Sequence, residues 1–155
     1  MDKLRPVSLT PTLAKVAEGL VGRWMMEDMN PNLDQKQFGN RKHRFTSHYL
    51  VQLVQYAYHA LEDGQSADLL AIDYSKAFDR VDINVALKKL IQMNVRPQLL
   101  PWIGNFLSGR RHCVRANGTT STWFETTCGV PQGTKLGPVV FLAMVNDVVQ
   151  AHADR

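Results

Sequence analysis

Cysteine is scarce in this sequence. The two that occur, Cys113 and Cys128, form no C-x-x-C pair and have no histidine partners at zinc spacing, which argues against a disulfide framework or a structural zinc. A reducing compartment is the natural inference. The five histidines include no H-x-H or H-E-x-x-H arrangement, so zinc hydrolase chemistry is disfavoured. No apolar run approaches the ~20 residues that span a bilayer, and the opening "MDKLRPVSLT" carries no apolar signal-peptide core. Internal repeats, low-complexity tracts and interdomain linkers are missing as well. The expected protein is intracellular and free of membrane contact, with nothing to separate nucleus from cytoplasm.

What is present is the balance of one ordinary domain: 155 residues, 45% hydrophobic and 21% charged, enough to bury a real core. The formal charge is +4, with a pI near 9.2. Basic residues bunch in "GNRKHRF" (Gly39 to Phe45) and "SGRRHCVR" (Ser108 to Arg115). On charge alone a polyanion partner and an ordinary solvated face are equally good explanations.

Periodicity supplies the elements. Thr10 is a candidate helix N-cap with Pro11 at the first helical position, and Leu13, Val16, Ala17, Leu20, Val21, Trp24 and Met25 then recur as a core stripe. "NPNLDQKQFGNRK" reads as a loop. A second helix carries Leu50, Leu53, Val54, Ala57, Tyr58 and Leu61 on one face and ends near Gly64, a C-cap candidate. "ADLLAID" has the length and composition of a buried strand. Ile83, Leu87, Leu90 and Ile91 mark a third helix, and Pro97 begins a short fourth. Asn117-Gly118 is a hairpin signal, "GVPQGTKLGP" a Gly/Pro-rich loop, and "VVFLAMVNDVV" a last helix. Runs of helices around a few strands make this α+β, helices packed on a small, mostly antiparallel sheet, rather than a βαβ alternation.

The chemistry concentrates in "LLAIDYSKAFDRVD" (Leu69 to Asp82). A carboxylate at the end of a buried strand, Asp73, beside the carbonyl of Tyr74, offers the hard oxygens that magnesium shares with substrate phosphates. On spacing alone, an aspartate there is more often the N-cap of the turn that follows. Asp79 reads as structural, bonding nearby backbone or an arginine.

Together with "RPVSLTPTLAKVAE", "QFGNRKHRFT" and "GVPQGTKLGPVVF", this stretch resembles the reverse transcriptase domain of non-LTR, LINE-type retrotransposons, with four motifs in order from Leu4 to about Asp147. The resemblance implies a right-hand polymerase fold, residues 1–66 fingers-like and 67–155 proximal palm, holding an RNA template, a DNA primer and deoxynucleoside triphosphates. It implies an RNA-directed DNA polymerase using a two-metal mechanism with Mg²⁺, or alternatively Mn²⁺. Asp73 matches the catalytic, metal-binding aspartate, assisted by Tyr74, which also lies at the nucleotide. Phe78 matches the aromatic beneath the sugar that excludes a ribose 2′-hydroxyl; a core phenylalanine is the competing assignment. Gln132 and Gly133 match nucleotide-contacting positions, where glycine lets backbone approach closely. Arg5 matches a fingers arginine suited to triphosphate oxygens. Arg41, Lys42, Arg44, Arg110 and Arg111 are candidate contacts to nucleic-acid phosphates, whereas Lys15 reads as a helix-surface lysine.

The sequence departs from the family in having no aromatic-x-Asp-Asp motif after "VNDV" and no thumb. The expectation is therefore a partial domain, inactive by itself, that belongs to a longer polymerase. The alternative is a catalytically dead retrotransposon relic that acts at most as a nucleic-acid-binding module.

Overall fold

A computed structural model describes residues 8–148. In chain order its elements are α1 (Thr12–Met29), α2 (Thr46–Glu62), α3 (Ile83–Gln92), α4 (Leu100–Leu107), β1 (Arg110–His112), β2 (Arg115–Ala116), β3 (Thr119–Thr120), β4 (Phe124–Thr126) and α5 (Leu136–Val145). Mixed helices and small antiparallel ladders agree with an α+β assignment. The backbone divides into two compact units, one of residues 34–75 and one formed by the stretches on either side. No helix among the described residues is long and apolar enough to cross a membrane.

The larger unit is built around α5. Its sequence, LGPVVFLAMV, is apolar on all sides, the pattern of a helix surrounded by protein. It buries Leu136, Val140, Leu142 and Ala143 and packs against both α1 and α3. From α1 come Val21, Met25 and Met29, from α3 Ala86 and Leu90, and from α4 Ile103 and Leu107. The expected α1 stripe is only half right. Val21 and Met25 are buried, but Leu13, Val16, Leu20 and Trp24 face outward, because α1 has two apolar faces and α5 covers the one that also contains Gly22 and Met29. Nor does Thr10 cap the helix: the N-cap position is Pro11, with no side-chain cap bond. Asp82, by contrast, caps α3 by accepting the Val85 N–H at 3.0 Å, which satisfies one of the open donors of the first turn.

Asn117 and Gly118 have φ of 50° and 77°, the left-handed pair of a two-residue hairpin turn, and β2 pairs with β3 across them. Outside this pair, β1 and β4 align Arg110 with Thr126 and His112 with Phe124.

In the smaller unit α2 forms as expected, and Gly64 (φ 70°) follows it while Gln65 N–H returns to the Ala60 carbonyl at 2.8 Å, a helix stop of the expected kind. The strand expected over Ala67 to Asp73 is absent. That stretch is irregular, and Leu69, Leu70 and Ile72 are exposed. A strand persists only when its backbone N–H and C=O groups are paired. Both ladders among the described residues lie within 110–126 and leave it no partner.

One charged clamp ties the end of α1 to the residues after α3. Arg96 donates through Nη2 and Nε to the two Asp28 oxygens at 2.6 and 2.8 Å, and its backbone N–H adds 2.9 Å to the same carboxylate. The Arg96 guanidinium hydrogen bond holds the Asp28 carboxyl below its ordinary value of 3.8. A depressed carboxyl contributes stability that is present above the unfolded pKa and lost as pH falls through the folded one. Asp28→Asn is therefore expected to lower the thermal midpoint at neutral pH, with the gap to wild type closing progressively below about pH 4. A gap that does not shrink in acid would rule out this clamp as its source.

Candidate functional site

The strongest convergence of the sequence motifs lies where the short 3-10 turn Phe78–Arg80 meets the loop before α5. Two backbone bonds stitch them together: Gly129 N–H donates to the Val81 carbonyl at 2.7 Å and Val130 N–H to the Phe78 carbonyl at 2.8 Å. Gly129 has φ 85°, and a Cβ there would stand 2.7 Å from the Asp79 carbonyl oxygen, so only glycine permits this approach. The Cys128 thiol also donates to that carbonyl, at 3.3 Å. Beyond the stitch, Pro131 is buried. Thr134 Oγ1 donates to the Pro131 carbonyl at 2.7 Å and accepts Gly137 N–H at 3.2 Å, closing the loop onto the first turn of α5. Gly133, with φ 86°, is exposed at its bend.

Two candidate residues thus come together from opposite ends of a long sequence separation. Gln132 is half-buried and its Nε2 donates to Asp79 Oδ1 at 2.8 Å. The Gln132 carbonyl accepts Ser8 N–H at 2.8 Å, which fixes the first described residue beside the loop. Phe78 is half-buried and stacks on Phe141 of α5, ring centres 4.8 Å apart. It has core contacts and remains open on one side. Arg5 lies outside the described residues, as does the chain end from residue 149.

Asp73 and Tyr74 belong to the smaller unit. Both are exposed, and Asp73 stands on irregular backbone rather than at a strand end. Among the described residues there is no cluster of three or more His, Cys, Asp and Glu side chains able to enclose a metal. A carboxylate and a backbone carbonyl open to solvent fit a magnesium ion that retains waters and shares substrate oxygens, not an all-protein cage.

The basic candidates divide by what their side chains already hold. Arg110 donates to the carbonyl oxygens of Leu107 at 2.8 Å and Cys128 at 3.3 Å, and also to that of Gly129. Burial pulls its pKa below the ordinary arginine value. It braces the loop from below. Arg41 donates to the Asp34 carbonyl at 2.9 Å and is pulled below its ordinary value by burial and then by the charge of Arg44. Arg44 sits 5.2 Å over the Phe38 ring and donates to the Gln35 carbonyl. Lys42 and Arg111 are exposed, as is Lys15.

Sequence reasoning read one residue here only in part and missed another. Asp79, expected to bond nearby backbone or an arginine, accepts instead from the Gln132 side chain, a pairing that no local spacing could signal. Glu18 is 1% exposed and accepts Lys135 N–H at 2.8 Å, fixing the start of α5 from α1; its only sequence mark was an acid inside an apolar helix.

The loop before α5 is thus held against a turn that carries an aromatic and an acid. Residues 1–155 match the family described as "Reverse transcriptase (RNA-dependent DNA polymerase)", and the chain belongs to that family. It is 34% identical over 155 residues to the RNA-directed DNA polymerase from mobile element jockey of Drosophila funebris, covering 99% of this chain and 17% of that protein. The jockey polymerase of Drosophila melanogaster is 32% identical over 150 residues, 96% of this chain and 16% of that protein. The probable RNA-directed DNA polymerase from transposon X-element of Drosophila melanogaster is 30% identical over 148 residues, 94% of this chain and 16% of that protein. The resemblance to LINE-type reverse transcriptases is thereby borne out, with the chain spanning about a sixth of these relatives' length.

The stitch makes a quantitative prediction. Gly118→Ala meets positive φ but nothing within 4 Å, so it should cost only left-handed strain, about 1–2 kcal/mol. Gly129→Ala adds a collision with the Asp79 backbone and should cost about 3 kcal/mol or more. Urea unfolding of the two variants checks the order; equal losses would mean that the close approach is not needed.

Proposed function

We propose that this chain is the nucleotide-holding part of a retrotransposon RNA-directed DNA polymerase, with residues 1–66 serving the fingers and 67–155 the proximal palm of a right-hand fold. The observation that carries the reading is the Asp79–Gln132 bond, which unites two family motifs 53 residues apart. In this reading Phe78 lies under the sugar of the incoming deoxynucleotide, and Gln132 and Gly133 line its base and backbone side. Arg5 and Tyr74 complete the nucleotide contacts. Asp73 and the Tyr74 carbonyl would hold Mg²⁺, or Mn²⁺ in its place. Bound magnesium supplies, in a two-metal mechanism, the positive charge that offsets the phosphate oxygens during nucleotidyl transfer. Asp73 by itself is not a two-ion cage, so extension is expected only when the chain sits within a longer polymerase.

The test is a graft of the full 155 residues into the matching place of the Drosophila funebris jockey polymerase. RNA-templated primer extension with deoxynucleotides is expected, and Asp73→Asn should abolish it, because a neutral amide is a poor magnesium ligand. Phe78→Ala should leave deoxynucleotide extension measurable while ribonucleotides enter far more readily, since exclusion by bulk fails when the bulk is deleted. Because the ring is only half-buried, the stability loss should stay below the ~3–5 kcal/mol of a fully buried phenylalanine. An unchanged ribonucleotide-to-deoxynucleotide ratio with a lowered melting temperature would return Phe78 to the core.

RNA template and DNA primer are the proposed partners, approached through phosphate contacts at Arg41, Lys42, Arg44 and Arg111; Arg110, the fifth basic candidate, is held by the loop carbonyls instead. The chain should bind fluorescent RNA weakly, without sequence preference, and lose it steeply as salt rises. Charge reversal at the exposed Lys42 and Arg111 should flatten that salt slope, whereas Arg110→Glu should lower the melting temperature, its guanidinium being committed to carbonyls. Equal binding at low and high salt would make the patch an ordinary solvated face.

A further inference from the structure

We propose that Asp79 is a positioning residue, which fixes the orientation of the Gln132 carboxamide toward the incoming deoxynucleoside triphosphate; this rests on the reverse transcriptase reading above. A carboxamide presents an acceptor on one side and two donor hydrogens on the other, and it can be turned either way in the same space. A carboxylate oxygen at 2.8 Å from Nε2 accepts only the donor side. The acceptor Oε1 and the second Nε2 hydrogen are thereby turned away from Asp79.

The backbones at both ends are held without this bond. At one end, Asp79 N–H donates to the Lys76 carbonyl at 3.0 Å, and the Asp79 carbonyl is covered by Gly129 and Cys128. At the other, the Gln132 carbonyl is taken by Ser8, and its neighbours Pro131 and Thr134 are tied into the turn before α5. Removing the Asp79 carboxylate therefore leaves the main-chain stitch intact and frees a long, rotamer-rich side chain. Its effect should fall on substrate binding rather than on the fold.

A double-mutant cycle in the jockey graft tests this. Asp79→Ala is expected to raise the KM for deoxynucleotides about tenfold, in the range of a lost charge-assisted hydrogen bond, with a smaller change in kcat. Gln132→Ala should raise KM at least as far, and the double variant should be no worse than Gln132→Ala alone, since Asp79 acts only through that side chain. Asp79→Asn keeps the size and one acceptor but lets the amide sit either way round, so its KM should fall between wild type and Asp79→Ala. It serves equally if the alanine variant does not fold. Additive effects on KM, or an Asp79→Asn protein with wild-type KM, would overturn the proposal and leave Asp79 a loop brace. A wild-type graft that extends no primer rejects the polymerase reading and this inference with it; an active graft insensitive to Asp79 rejects this inference alone.

Discussion

The close approach of Gly129 to the Asp79 backbone decides what the loop before α5 can do. With 2.7 Å between an imagined Cβ and the Asp79 carbonyl oxygen, any side chain would lift the loop off the turn. Lifting it would break the bonds from Gly129 and Val130 to Val81 and Phe78. It would also carry Gln132 away from Asp79 and uncover the carbonyls that Arg110 holds. A single missing side chain thus permits a set of contacts that each depend on the same separation. Several of them are directional hydrogen bonds, which weaken steeply with misalignment.

Behind the loop, position is handed on through apolar packing and one buried acid. Phe78 leans on Phe141, which places the turn on the flank of α5. The start of α5 is held in turn by Glu18, whose Oε2 accepts Lys135 N–H. A carboxylate near the open N–H groups of a helix start is favoured by the helix dipole. Its burial costs desolvation, and its other oxygen, Oε1, has no hydrogen-bond partner among the described residues. That expense is offset by what a hydrophobic side chain could not provide, a directional bond that sets where α5 begins relative to α1.

Sequence logic served best where the cause is local. Asn117-Gly118 fixed its own hairpin because left-handed φ is cheap at those two residues. Helices α3 and α4 followed from apolar spacing, although Pro97 opens a separate 3-10 turn, Pro97–Leu99, and α4 itself begins at Leu100. It served worst where the cause lies in a partner. "ADLLAID" has strand composition, yet composition cannot supply the neighbour that would pair its backbone. The two apolar faces of α1 could not be ranked without knowing that α5 would choose one. Among the site candidates, Gln132 and Phe78 came from motif resemblance. Their actual connection runs through Asp79, and the diversion of Arg110 into the loop was invisible because an arginine in a basic cluster reads the same whether its fork meets phosphate or carbonyl oxygen.

The boundary between the two compact units falls between Ser75 and Lys76, inside "DYSKAFD" itself. Lys76 takes φ 54°, a conformation that a non-glycine residue adopts at some cost. Its carbonyl then accepts the N–H groups of Asp79 and Arg80 at 3.0 and 3.2 Å, so the strained residue begins the turn that presents Phe78 and Asp79. In the proposed reading the motif is therefore two devices joined at one bend. On the 34–75 side stand the oxygens of Asp73 and Tyr74 for the ion. On the other side Phe78, packed against the core, and Asp79, which bonds Gln132, belong to the unit of α1, α3 and α5. In that reading, nucleotide selection would belong to the unit that packs Phe78 and Gln132, while Asp73 belongs to the other.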